Sequence, residues 1–477
     1  MRILFIATEA SPLAKVGGLA DVIGSLPKAL NELGHDIRLI LPAYGSIKIS
    51  GSSPSLLTSF SIPLKDKEIS ASLLRTNLTD DIPVYLVNNE NYFGTDRIYN
   101  KNDLERFLFF CLAVREILSK LDWDPQIIHC HDWHTALIPM YLKQAHFLCS
   151  SVFTIHNLSY QGNFSKRFMS DFGLDQIMKF WPLHISKQPL NFMSQGILWA
   201  DMVTTVSETY ASEITTSKCG EGLDELLRYR GDKLVGIING IDYDEYNPNS
   251  DPFIPANFNS SKLEMKLLNK SALQKQMRLP EDSAIPLLGI VSRLDDQKGL
   301  DVLAESLDFL FERMPRQLVV LGEGQDYYHK LFKEISNKYP CQMAVFIGFD
   351  NPLAHLIYAG CDIFLMPSIF EPCGLGQLIA MRYGAVPVVH HTGGLADTVQ
   401  DLTPDLNDGN GFVFQPNDAM SILDAIQRAV DAYNGNKKDW KKIMQRIMEI
   451  DFSWQASARK YETVYNNLLK MRSEDKN

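Results

Sequence analysis

No stretch of this sequence approaches the ~18 uninterrupted apolar residues that a membrane-spanning helix needs. The first apolar run, Ile3 to Ala7, is too short for the core of a secretory signal. No membrane partner is expected. Paired cysteines are lacking too. The seven cysteines stand at 111, 130, 149, 219, 341, 361 and 373, with no C-x-x-C spacing. An odd number without that spacing reads as reduced thiols in the cytosol rather than as a disulfide framework. Positive charge is scarce: 46 Lys and Arg stand against 57 Asp and Glu, for a net charge of -11 and a pI near 5.5. That balance argues against nucleic acid as a partner and is compatible with a neutral ligand such as a sugar polymer. There is no low-complexity segment and no short repeat.

What is present is apolar material for two cores. Hydrophobic residues make up 45% of 477 residues, which suits two domains of roughly 200 residues each. Residues 2–8 read as a buried parallel strand, 9–18 as a loop, 19–33 as a helix closed by Gly34, and 36–42 as the next strand. Similar apolar strands recur at 126–130, 151–157, 202–207 and 234–239. Residues 240–261, rich in Asp, Asn, Pro and Ser, read as a linker and mark the domain boundary. A second series follows, with strands at 286–293, 317–324, 343–349, 362–368 and 386–391. Helices are expected at 299–314, 326–338, 353–359 and 374–383, and nearly all of 418–469 is expected to be helical. The fold class is α/β: two Rossmann-like domains in tandem, 1–240 and 241–453, with strand C-termini from both sheets around one cleft.

The motifs lie where strands meet helices. In KVGGLAD (15–21), adjacent Gly17 and Gly18 let backbone approach a ligand, and Lys15 adds charge beside a helix start that favours anions. The plain alternative is an ordinary turn with a solvated lysine. HCHDWH (129–134) ends a strand. Its three histidines and one cysteine raise the question of a metal, but alternate strand residues face opposite ways and only a subset could converge. A sugar-binding edge is preferred, with Asp132 accepting hydroxyl hydrogen bonds and His156 and Asn157 ending the next strand at the same edge. In SRLDDQKG (292–299), Arg293 and Lys298 span a strand-to-helix turn and either clamp a diphosphate or pair at the surface with Asp295 and Asp296. EPCGLGQ (371–377) reads as a phosphate cradle or as a glutamate compensating a helix dipole. No histidine near Cys373 in sequence would make it a nucleophile. Gly322-Glu323-Gly324 lacks the third glycine of a dinucleotide fingerprint. Asp242-Tyr243-Asp244 has a metal-binding form but falls in the linker. Tyr358 either stacks on a base or packs.

In this order the motifs resemble the bacterial glycogen synthase and plant starch synthase family. KVGGLADV (15–22), HDWH (131–134), NGIDYDEYNP (239–248), SRLDDQKG (292–299), EPCGLGQ (371–377) and HTGGLADTV (391–399) carry the resemblance, which spans nearly the whole chain. It implies the GT-B fold, with 1–240 on the acceptor side, residues 454–477 packing back onto it, and 241–453 binding a nucleotide sugar. It implies retaining transfer of glucose from ADP-glucose to the non-reducing end of an α-1,4-glucan, glycogen or starch-like, without cofactor or catalytic metal. Glu371, Arg293, Lys298 and His156 then serve catalysis. Lys15, Gly18, Asp21, Asp132, Asn239, Tyr358, Cys373, Gly374, Leu375 and Gly376 bind ADP-glucose, Tyr358 at the adenine. One departure stands out: Gly376 occupies a place where the family often has threonine. The alternatives are another GT-B nucleotide-sugar glucosyltransferase and a non-catalytic glucan-binding protein. The latter should have lost Lys15, Arg293, Lys298 or Glu371, and none is lost. The expected location is the cytoplasm, or a plastid if a transit peptide has been removed.

Overall fold

The computed structural model describes residues 1–47, 54–174, 191–313 and 315–474. Met314, the last residue of one expected helix, lies outside them. The chain forms two compact units, Met1–Gly240 with Trp454–Asn477, and Ile241–Ser453.

The first unit holds a nine-stranded sheet in the order β3-β4-β5-β2-β1-β6-β7-β8-β9. Its centre is β1 (Arg2–Ile6), β6 (Ile127–His131) and β7 (Ser150–Ile155), flanked by β2 (Asp36–Pro42), β8 (Met202–Thr205) and β9 (Leu234–Gly236). These strands are parallel. Their near-continuous apolar runs are what a strand covered on both faces requires. The helix Gly18–Glu32 buries Leu19, Val22, Ile23, Leu26 and Leu30, a stripe at helical spacing. Gly34, at φ 88°, ends it. The last helix, Trp454–Glu474, packs against Gly18–Glu32. Its Trp454, Ala458, Tyr461, Tyr465 and Leu468 share one core with Ile3, Phe5 and Leu26. Each large side chain buried this way contributes about 1.5–3 kcal/mol.

Three strands at the far edge have no counterpart in the sequence reading. β3 (Ser55–Leu64) and β4 (Lys67–Thr79) run antiparallel, and β4 pairs antiparallel with β5 (Ile82–Asn88), which joins β2 in parallel. β3 is mostly exposed along its length, so no buried apolar run announces it.

The second unit holds a six-stranded, all-parallel sheet in the order β12-β11-β10-β13-β14-β15. The strands are β10 (Leu287–Val291), β11 (Gln317–Gly322), β12 (Met343–Ile347), β13 (Ile363–Met366), β14 (Val386–His390) and β15 (Phe412–Phe414). The last, three residues long, was not expected.

The linker reading of 240–261 is corrected. From Ile241 onward this segment is part of the second unit, with Ile254 and Phe258 in its core. Asp251 is buried and accepts from Tyr383 Oη at 2.5 Å, with His355 Nδ1 at 2.7 Å. Asn269 closes two bonds to the backbone of Ala256. Asp, Asn and Pro here build turns whose polar groups are satisfied internally, so linker-like composition coexists with burial.

Candidate functional site

In the first unit the strand C-termini put a polar set along one sheet edge. The loop after β1 is closed by two bonds between Ala10 and Ala14, both 2.9 Å. Glu9, 3% exposed, anchors it. One carboxylate oxygen accepts from Val16 N at 2.6 Å and Gly17 N at 2.8 Å, and the other accepts from Tyr99 Oη at 2.5 Å. Lys15 Nζ lies 2.5 Å from Asp21 Oδ1. Cβ atoms added at Gly17 or Gly18 would meet nothing within 4 Å. These glycines leave open space over a helix start, where backbone can come close to a ligand.

Asp132 follows β6 at φ 56°, ψ 177°, a strained conformation for a residue with a side chain. Burial pushes its carboxyl up to about 7, against the hydrogen bonds from the backbone N–H groups of His156, at 2.8 Å, and Asn157. His156, just past β7, is half-buried, and burial lowers its imidazole to about 3. Its Nε2 lies 3.0 Å from His131 Nδ1. Asn239, beyond β9, is buried, and its Oδ1 has no hydrogen-bond partner among the described residues. A buried oxygen of this kind calls for a partner, which a ligand hydroxyl or a water can supply.

In the second unit the corresponding edge is charged. Lys298 Nζ sits 2.6 Å from Glu371 Oε2, with side chains 15% and 8% exposed. Ser368 Oγ donates to the same oxygen at 2.9 Å. Arg293 is more exposed and pairs with Asp295 at 2.9 Å and with Gln297 at 3.2 Å. The two loops are joined by Ile369 N to Gln297 O at 2.9 Å and Gln297 Nε2 to Phe370 O at 3.2 Å. Close backbone approach fixes several glycines here. A Cβ on Gly299 would stand 2.0 Å from Pro367 O, and one on Gly393 or Gly394 would stand 2.1 Å from Glu371 O or Cys373 O. The HTGGLADTV motif thus supports the backbone that carries Glu371.

Residues 2–229 match the model of the starch synthase catalytic domain, and residues 271–445 that of the glycosyl transferases group 1. A glycogen synthase of Moorella thermoacetica is 46% identical over 99% of this chain and 98% of its own. One of Geotalea daltonii is 46% identical over 98% and 99%. The chain belongs to the glycogen and starch synthase family. Among solved structures, the catalytic domain of starch synthase IV from Arabidopsis thaliana, bound to ADP and acarbose, matches with a TM-score of 0.89 and 35% identity. That match covers 98% of this chain and 99% of that one. A sucrose-phosphate synthase from Thermosynechococcus elongatus, at TM-score 0.62 and 17% identity, shares the fold alone. The fold is that of the GT-B glycosyltransferases, as the motifs implied.

Within this synthase, the structure gathers Glu9, Lys15, Asp132, His156 and Asn239 on the first edge, and Arg293, Lys298, Glu371 and Gly374–Gly376 on the second. Two readings are corrected. Tyr358 is 5% exposed, with its ring 5.1 Å from Phe364 and 6.4 Å from Tyr383, so it is a core side chain rather than an open face for a base. Asp132 spends its carboxylate on backbone N–H groups, which makes it a clamp on the His156 turn. Gly322 and Gly324 belong to packing, since added Cβ atoms would stand 2.1 and 2.2 Å from the carbonyls of Ser292 and Leu294. His129 and His131 share one strand face, yet His129 is fully bonded, to Tyr465 Oη at 2.8 Å and Thr154 Oγ1 at 2.6 Å. Among the described residues no group of three or more His, Cys, Asp or Glu could hold a metal ion, and no helix is long and apolar enough to cross a membrane. The sequence reading missed Glu9, Tyr99 and Ser368. The position of Glu9 just after β1 was a usable signal; Tyr99 offered none.

Proposed function

We propose that this synthase transfers glucose from ADP-glucose to the non-reducing end of an α-1,4-glucan, with retention of anomeric configuration. The observation that carries this reading is the nearly buried Lys298–Glu371 pair at the C-terminal edge of the second sheet, with Arg293 in the same loop. Bond cleavage leaves negative charge on the departing diphosphate, and preorganised cations stabilise that charge most where water is excluded. Lys298 and Arg293 supply those cations. Glu371, held by Lys298 and Ser368, accepts hydrogen bonds from the donor glucose, and the Cys373, Gly374, Leu375 and Gly376 turn offers backbone N–H groups to phosphate oxygens. From the first unit, Lys15 and Gly18 meet the donor sugar and its phosphates, with Asp21 paired to Lys15. His156, neutral through the physiological range, offers an uncharged hydrogen bond to the sugar, and Asn239 Oδ1 takes a hydroxyl. The departing phosphate takes the proton of the attacking hydroxyl on the same face, so no separate acid and base carboxylates are required. Support for this donor and acceptor comes from the Arabidopsis neighbour, which holds ADP and acarbose. The seven cysteines, none in a disulfide, support a reducing compartment, the cytoplasm.

The test is glucose incorporation into glycogen from ADP-glucose and from UDP-glucose, with and without EDTA. Faster transfer from ADP-glucose, insensitive to EDTA, is expected. Equal or reversed rates would assign the chain to another nucleotide sugar.

A further inference from the structure

His131 is buried beside the reaction edge, and no step above uses it. Its ring stacks on Phe5 at 5.6 Å and 12°, and lies 4.1 Å from the ring of His129. Its Nδ1 is 3.0 Å from His156 Nε2, and its own Nε2 is buried without a partner among the described residues. A neutral imidazole has one N–H donor and one bare acceptor nitrogen. Burial holds both His131 and His156 neutral, so one proton bridges the 3.0 Å contact. Two arrangements exist. If His156 Nε2–H donates, His131 must carry its proton on Nε2, where a buried N–H would point at nothing. If His131 Nδ1–H donates, only a lone pair is left unsatisfied. Orphaned buried N–H groups are the rarer of the two, so the second arrangement wins. His129 does not alter the choice, because both of its nitrogens are engaged by Tyr465 and Thr154.

We infer that His131 is a positioning residue: its Nδ1–H locks His156 in the tautomer that carries the proton on Nδ1. His156 then presents Nδ1–H as a pure donor, and Asp132 holds its backbone N at 2.8 Å. The group it meets must be an acceptor, such as a sugar hydroxyl oxygen. This inference rests on the proposed placement of His156 at the donor sugar.

The experiment uses the full chain labelled with 15N-histidine. Two-bond 1H–15N correlations at pH 8 distinguish protonated from bare ring nitrogens, and His156→Asn assigns the His156 signals. The expected pattern is a protonated Nδ1 and a bare Nε2 on His156. In His131→Phe, which keeps a ring but has no donor, that pattern should mix or reverse. The kcat should fall roughly 10- to 100-fold, the scale for losing a partner that orients a ligating side chain, with His131→Gln, which keeps an N–H donor, partly restored. A protonated Nε2 on His156 in the unaltered protein overturns the inference, whether or not either variant folds. An unchanged His156 pattern in His131→Phe overturns it equally. If the tautomer is as expected but His156→Asn keeps full turnover, the proposed placement of His156 fails instead.

Discussion

The two units place loops at the same topological position, the C-terminal edge of a parallel sheet, and furnish them in opposite ways. On the first edge the carboxylates serve the protein's own backbone: Glu9 takes the N–H groups of Val16 and Gly17, and Asp132 that of His156. Lys15 is balanced by Asp21 at 2.5 Å, and the histidines there are held neutral by burial. On the second edge the carboxylate of Glu371 faces a cation, Lys298, at 2.6 Å. A neutral, well-bonded edge suits sugar hydroxyls, whereas a charged one suits a diphosphate. Loops at one topological position thus differ in what their carboxylates meet, mainly backbone N–H groups on the first edge and a cation on the second.

Acid should sharpen this contrast most strongly. His134 and His156 are lowered to about 3, and His129 and His131 are also well below the usual histidine value, all by burial. A lowered histidine means that the unfolded chain binds more protons than the folded one between about 6.5 and the folded value. Stability of the first unit is therefore lost as pH falls through that window, on the order of 4 kcal/mol each for His134 and His156 once the window is crossed, with His129 and His131 acting in the same direction. Asp132, raised to about 7 by burial, opposes this, since its contribution is present at low pH and lost as pH rises toward 7. Four histidines outweigh one carboxyl. In the second unit Asp251 is pushed up by burial but held low overall by bonds from His355, Tyr383 and Phe253 N, so its contribution disappears only in stronger acid. Hydrogen exchange resolved by peptide, from pH 7 to 4, should show the first unit loosening first; simultaneous loosening would contradict the contrast.

Lys298→Ala should lower kcat by roughly 10²–10³ and destabilise the second unit by about 3–5 kcal/mol, because Glu371 is left buried without its cation. Adding Glu371→Gln should restore the melting temperature but not turnover. Recovery of both would reduce the pair to a structural contact. A smaller effect is expected from Glu9→Ala, about 1–3 kcal/mol from three donors left without their acceptor. Faster exchange at Val16 and Gly17 is the direct readout, and unchanged protection there would show that the loop is held by other means. The smallest effect is at Gly376. Its φ is not in the left-handed region, so the backbone tolerates threonine, although the new Cβ would stand 3.1 Å from Phe364 and 3.3 Å from Met366 Sδ. Gly376→Thr should cost a few degrees of melting temperature, of the order that about 1 kcal/mol produces. It should tighten ADP binding by at most about tenfold through one added hydroxyl. Weaker ADP binding would show that crowding outweighs the new donor.

How much of this was legible in the sequence follows from burial. The central parallel strands are apolar on both faces, so β1, β2 and β10 to β14 stand out as runs, and the glycine-bearing motifs mark their C-terminal loops. The exposed hairpin of β3 and β4 carries no such run. The 240–261 segment was misread because Asp, Asn and Pro build satisfied buried turns as readily as open ones, as Asp251 shows. Tyr358 lay next to a strand in a plausible place, and only packing against Phe364 reveals it as core. The pairing of Glu9 with Tyr99 spans 90 residues, a distance at which no local pattern operates. His131 was read as part of a sugar-binding edge and as a candidate metal ligand, and its hold on His156 was not legible, because a tautomer depends on partners that sequence does not reveal.

The division of labour between the two edges is tested most directly by calorimetry of ADP binding to the full chain, to Lys298→Ala and to His156→Asn. A charged hydrogen bond to a phosphate is worth about 1.5–3 kcal/mol, so Lys298→Ala should weaken ADP by about tenfold or more, while His156→Asn should leave it within about twofold. An equal or larger loss in His156→Asn, with Lys298→Ala unchanged, would contradict the assignment of the diphosphate to the charged edge.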